Sequence, residues 1–218
     1  MSKYCECRRR IKLRRRGKWI TPQCDHTQCR QCRRSYRDSL LVSPPPREAP
    51  TSRGFFCLDD IIMPMQLTSS AFNHNMSIPS KYTCDGDRTK NPPFSISDVP
   101  EEMKSLALIM NDPDVPKQIR TDGVFDHWIL FNIPAETTEI LEGVSVGTPG
   151  VNSSGKNLYT GPCPPPQYEP SEHRYIFKLY ALDTMLNLQA GTTKKEVLDS
   201  MKGHVLAETE LIGRYKRK

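Results

Sequence analysis

Residues 173–183 read HRYIFKLYALD. Side chains on a strand alternate between faces, so Tyr175, Phe177, Leu179 and Ala181 share one face, and His173 joins Tyr175 on it. The stretch predicts a strand with a polar pair at its entrance and an apolar stripe behind. Immediately upstream lies a glycine–proline loop. Gly161 lets backbone approach a ligand closely, and Pro162 with Pro164–Pro166 stiffens the segment, so that a pocket wall there is largely pre-formed. Downstream, Thr193–Gly203 (TKKEVLDSMKG after Thr192) predicts a helix. Thr193 and Glu196 stand at capping-box spacing, and Gly203 is a natural stop. Val205–Tyr215 predicts a closing strand.

Two further strands lie upstream. Ser105–Met110 (SLALIM) is a short apolar run ending in NDPDVP, where Pro113 and Pro116 stiffen the turn that carries Asp112 and Asp114. His127–Ile133 (HWILFNI) alternates, with His127, Ile129, Phe131 and Ile133 on one face and Trp128, Leu130 and Asn132 on the other. Trp128 reads as core. Several short strands separated by Pro, Gly, Asn and Asp, with one or two peripheral helices, predict a mainly β protein, an antiparallel β-sandwich.

The net charge of +6 divides unevenly. Residues 1–64 carry 15 Lys/Arg against 6 Asp/Glu, and residues 65–218 carry 16 against 19. The body therefore has no general attraction for polyanions. Six of the eight cysteines are also in the first 64 residues, leaving Cys84 and Cys163 in the body. These two are able to pair once, but nothing in the sequence requires it. No signal-peptide core and no run near the ~20 apolar residues of a spanning helix occurs. A reducing, cytoplasmic setting is the default expectation. The boundary falls near Met65: residues 1–64 read as a basic, Cys-rich leader, either disordered or an upstream start-site artefact, and residues 65–218 as the domain. Cys24, His26, Cys29 and Cys32 include zinc-ligand types, but their spacing fits no standard finger, so no metal or cofactor is expected. A competing function is a nucleic-acid or partner adaptor acting through this leader.

Together, FNHNMSIPSKYTC at 72–84, DPDVP at 112–116, HWILFNIP at 127–134, GPCPP at 161–165 and HRYIFKLYALD at 173–183 resemble the phosphatidylethanolamine-binding family, in particular its bacterial Raf kinase inhibitor-like branch. The resemblance covers about residues 65–215. It implies two antiparallel sheets with an anion pocket at one end, open to a phosphate-type group or phospholipid head group. It also implies a possible protein partner whose activity occupancy modulates. The ligand-binding set carried over is Asp112, His127, His173 and Tyr175, with Gly161 of the GP turn and Pro116 of the DPDVP turn.

A division of labour follows for such a pocket. Asp112 accepts a hydrogen bond from His127 and favours its charged form, and two imidazoles, the Tyr175 hydroxyl and a backbone amide near Gly161 hold the anion. Glu169 and Glu172 on the approach to the last motif either discriminate against highly charged ligands or favour an amine-bearing one. Catalysis is not expected. No G-x-S-x-G nucleophile turn occurs, and Cys163 reads as a small, inert loop residue.

Overall fold

The computed structural model describes residues 64–217; the leader reading falls outside them, except for Pro64. The nine strands run in chain order β1 (Gln66–Thr68), β2 (Met76–Ser77), β3 (Phe94–Ser97), β4 (Ser105–Asp112), β5 (Phe125–Pro134), β6 (Glu139–Ile140), β7 (Thr148–Pro149), β8 (Glu172–Leu182) and β9 (Val205–Lys216). Helix α1 (Lys194–Met201) lies between β8 and β9, and a 3-10 turn spans Ser80–Tyr82. Strands β1, β3 and β6 form a small sheet. The large sheet has the order β2-β9-β8-β4-β5-β7. All pairings are antiparallel except β2 with β9. The expected sandwich is therefore present, with one short parallel pair added.

The sheets meet through a core that includes Leu67, Phe94 and Ile140 from the small sheet and Leu108, Trp128, Phe177 and Leu179 from the large one. A second cluster covers the opposite face of the large sheet, where Ala107, Ile109, Ile129 and Phe131 pack against Val197 and Met201 of α1. Strand β4 is thus buried on both faces, which explains why its sequence is a continuous apolar run rather than an alternating one. Helix α1 starts where the sequence places it: Thr193 and Glu196 form the reciprocal capping box. Gly203, at φ 81°, follows the helix end in the left-handed region.

Strand β5 departs from simple alternation twice. Opposite β4, Leu106 pairs with Ile133 and Leu108 with Leu130, so Phe131 and Asn132 together face Ala107. This is a bulge. Asn132 adopts φ 52°, a conformation Asn tolerates better than most residues. Its side chain accepts from the Leu186 amide at 2.7 Å and donates to the Leu186 carbonyl at 2.8 Å. The extra residue reverses the faces, and Ile133 joins the inter-sheet core with Trp128 and Leu130 instead of following Ile129. Asn132→Ala is expected to cost about 2–3 kcal/mol, from two lost hydrogen bonds and a strained backbone. Urea denaturation measures it; a loss below about 0.5 kcal/mol would show that the bulge needs no such anchor.

The second irregularity builds the site. Met110 pairs with Trp128 but Asn111 with Asp126, leaving His127 as the extra residue. Its ring lies 5.2 Å from that of Tyr175, edge-on, and Tyr175 belongs to the inter-sheet core. His127 therefore leaves the Ile129 face that strict alternation assigns to it.

Candidate functional site

At one end of the large sheet, the end of β4, the start of β5 and the start of β8 converge on a cavity of about 270 Å³. Its polar end is formed by Asp112, His127, His173 and Tyr175. Val115, Ile119, Phe125, Pro164 and Pro165 supply an apolar wall, and Arg88 and Cys163 complete the lining. Four of the six residues expected to bind ligand are thus brought together, and two are not among the lining residues. Pro116 sits one residue beyond the wall, where its carbonyl accepts from the amides of Ile119 and Arg120 and shapes the turn that carries Ile119.

Gly161 also stands back, and its amide is occupied: it donates to the Arg88 carbonyl at 2.7 Å. The amide is therefore not offered to an anion. A Cβ on Gly161 would fall 2.2 Å from the Tyr82 carbonyl oxygen. The close approach that requires glycine is made to the Tyr82–Thr83 backbone, not to a ligand.

The hydrogen bonds reassign the carboxylate. Asp112 is buried and accepts from His173 Nδ1 at 2.7 Å through Oδ2, while its Oδ1 accepts from the Asp114 amide at 2.8 Å. The expected bond to His127 is not made. His127 Nδ1 instead meets the Thr160 carbonyl at 2.5 Å. A carbonyl only accepts, so Nδ1 carries the proton and Nε2 of the neutral ring is an acceptor. Burial pushes the His127 pKa down to about 4, against a smaller opposing pull from the Thr160 bond and the Asp112 charge. His127 is therefore neutral near pH 7, the reverse of the expected imidazolium.

The rest of the site is held firmly. Asp114 grips Arg174 by a two-pronged pair at 2.7 and 2.9 Å and also accepts the Arg174 amide. That arginine holds the Asp114 carboxyl below its ordinary pKa. Two aspartates of the DPDVP turn thus fix two successive residues of β8. Behind His127, Asn152 gathers the loop: its Nδ2 donates to Thr160 Oγ1 at 2.9 Å and to the Leu158 carbonyl at 2.8 Å, and its Oδ1 accepts from the amides of Ser154 and Lys156.

Among the described residues, only three buried side-chain polar atoms lack a hydrogen-bond partner: Trp128 Nε1, His173 Nε2 and Tyr175 Oη. Trp128 lies in the core, edge-on to Tyr159. The other two belong to residues that line the cavity. Burial, with the Asp112 charge nearby, raises the Tyr175 pKa well above its ordinary value, so its hydroxyl keeps its proton. Each such orphan costs about 1–3 kcal/mol unless something fills it.

Cys84 and Cys163 form a disulfide. Cys163 is therefore not a free thiol, and cysteine usage no longer supports a reducing compartment for the described domain, since such bonds persist where conditions are oxidising. The Cys84 amide also donates to the Pro162 carbonyl at 2.9 Å. Together with the Gly161–Arg88 bond, this ties the 84–88 loop to the GPCPP wall and brings Arg88 to the cavity. The sequence reading missed Arg88, whose place depends on the Cys84–Cys163 bond that nothing in the sequence requires. Glu169 and Glu172 do not line the cavity. Glu169 accepts from the Ser171 amide, and Glu172 lies 3.5 Å from Arg214. Among the described residues, no group of three or more His, Cys, Asp or Glu side chains is placed to hold a metal ion, and no helix is long and apolar enough to cross a membrane.

Comparison with known proteins agrees with this architecture. A family model described as phosphatidylethanolamine-binding protein matches residues 68–216. A UPF0098 protein of Chlamydia muridarum is 46% identical over 154 residues, covering 70% of this chain and 99% of the relative. One from Methanothermobacter thermautotrophicus is 48% identical over 160 residues, with coverage of 70% and 99%. Among solved structures, a Chlamydia trachomatis protein described as a phosphatidylethanolamine-binding protein homolog superposes with a TM-score of 0.67 at 44% identity, covering 71% of this chain and 99% of its own. Escherichia coli YbcL, described as a member of the mammalian family of that name, gives 0.63 at 26% identity, covering 72% and 100%.

Proposed function

We propose, from the premise that this chain belongs to the phosphatidylethanolamine-binding protein family, that the cavity binds a small phosphate-type anion or phospholipid head group and that its role is binding rather than turnover. The observation that carries this reading is a pair of buried polar atoms, His173 Nε2 and Tyr175 Oη, that lack a well-formed hydrogen bond and belong to residues lining the cavity, with Asp112 close to both rings. A phosphate oxygen is the partner both atoms lack. The Tyr175 hydroxyl donates to one oxygen. Asp112 holds His173 by Nδ1 and so turns Nε2 toward another. His127 Nε2 is an acceptor and suits the P–OH of a monoprotonated phosphate. Because His127 stays neutral down to about pH 4, it adds no charge to the site between pH 5 and 8.

The same groups support binding over catalysis. An Asp–His pair is able to act as a general base, but covalent catalysis also needs a side-chain nucleophile. The lining residues include no serine or threonine, and their one cysteine is in the disulfide.

Tyr175→Phe separates ligand binding from mere structure. Removing an unsatisfied buried hydroxyl is expected to leave the free protein as stable or stabilise it by about 1 kcal/mol. The same change is expected to weaken phosphate binding about tenfold, read by calorimetric titration of both proteins with inorganic phosphate. Equal phosphate affinity in the two proteins, or no phosphate binding by either, would count against the site.

A further inference from the structure

The charges lining the cavity do not favour an anion until Arg88 is included. Asp112 contributes one negative charge. His127 is neutral near pH 7. His173, even when protonated, is paired at 2.7 Å with Asp112, so those two together are at best neutral. The remaining lining side chains apart from Arg88 are uncharged. Among the described residues, no carboxylate forms an ion pair with the Arg88 guanidinium. Its side chain is exposed, while its backbone is fixed to Gly161 at 2.7 Å and its loop is joined to the cavity wall through Cys84 and Cys163. The result is an unpaired cation on an anchored stem at the rim of a nearly neutral cavity.

The acceptor side is equally lopsided. The one carboxylate in the lining, Asp112, has both oxygens engaged, one by His173 and one by the Asp114 amide. Glu169 and Glu172 are elsewhere. No lining carboxylate is free to receive an ammonium group. The wall formed by Val115, Ile119, Phe125 and the two prolines is apolar. Ile119 is 49% exposed, an apolar lip on the opening.

We propose that Arg88 is the specificity-determining residue of the site and selects phosphate monoesters whose substituent is uncharged and apolar over those bearing an ammonium group. This rests on the phosphate-binding reading above and deepens it. The phosphate head meets His173 and Tyr175, Arg88 neutralises its remaining charge, and the ester substituent lies along the apolar wall. An ammonium in that position meets a guanidinium and no free carboxylate.

The test is a calorimetric titration of the full chain and of Arg88→Gln with two probes of nearly the same shape, ethyl phosphate and phosphoethanolamine, at low and high salt. Arg88 is on the surface, so the substitution is not expected to disturb folding, and Arg88→Lys serves as the charge-conserving control. The wild-type protein is expected to bind ethyl phosphate about five- to tenfold more tightly than phosphoethanolamine. Arg88→Gln is expected to lose about tenfold for ethyl phosphate, to flatten its salt dependence and to abolish the preference, with Arg88→Lys recovering part of it. If both probes bind the wild type and Arg88→Gln leaves the preference intact, the role of Arg88 is refuted while the phosphate site stands. Tighter binding of phosphoethanolamine by the wild type refutes it as well. If neither probe binds the wild type, the site reading itself fails and this proposal fails with it.

Discussion

Replacing His173 with alanine is expected to cost about 3–5 kcal/mol of folding stability, because it strands the Asp112 carboxylate in the protein interior. The side chains of His173 and Asp112 are 1% and 5% exposed. Loss of the imidazole leaves the buried carboxylate with one hydrogen bond from the protein, that of the Asp114 amide. This is a large part of the total stability of an ordinary domain. By contrast, the exposed pair between Lys195 and Asp199 contributes only about 0.3–0.5 kcal/mol by the usual measure for helix pairs. The double variant Asp112→Ala, His173→Ala separates the two sources of the loss, since it leaves no charge behind. Its cost is expected to be well below the sum of the two single changes. Urea denaturation of the four proteins gives the cycle. Additive costs, or a loss under about 1 kcal/mol for His173→Ala, would mean that the buried pair is not what secures this end of β8.

Acid is expected to destabilise the protein through His127. The ring is held neutral by burial, with a pKa of about 4 against an ordinary 6.5. Below pH 6.5 the unfolded chain takes up a proton at this position, while the folded chain resists until about pH 4. The unfolded state therefore binds more protons between those values, and stability falls as pH falls through that window. The contribution is fully present above pH 6.5. It amounts to about 3 kcal/mol across the window, since each pKa unit corresponds to about 1.4 kcal/mol. His127→Gln does not titrate and keeps an amide able to donate to the Thr160 carbonyl. Stability measured from pH 7 to 4 is expected to fall more steeply in the wild type than in this variant by that amount. Parallel curves would show that His127 charges freely in the fold.

These two histidines mark where the sequence could be read and where it could not. The strand at 173–183 was legible because its pattern is local: period-two alternation put His173 and Tyr175 on one face, and β8 keeps that order as far as Ala181. The helix was legible from its cap. Strand β5 was not, because a bulge is a property of two strands in register. His127 and Asn132 become extra residues only opposite β4, and nothing within HWILFNI announces it. The partner of Asp112 was hidden for the same reason. Strand β4 lies between β5 and β8, so both histidines were within plausible reach of its end, and register chose His173. Gly161 carried a true signal of close backbone approach that was assigned to the wrong neighbour, a ligand instead of Tyr82. Arg88 reaches the site through a disulfide and one backbone hydrogen bond spanning more than seventy residues, a relation that periodicity does not encode.

The central claim is that His173 Nε2 and Tyr175 Oη await an anion. The most direct measurement follows the imidazole nitrogen signals of the five histidines by NMR while inorganic phosphate is added at constant pH and ionic strength. The account predicts a saturable shift of the His173 Nε2 resonance, a smaller one at His127, and none at His74 or His204. An unchanged His173 signal, or the same unsaturable drift at every histidine, would contradict it.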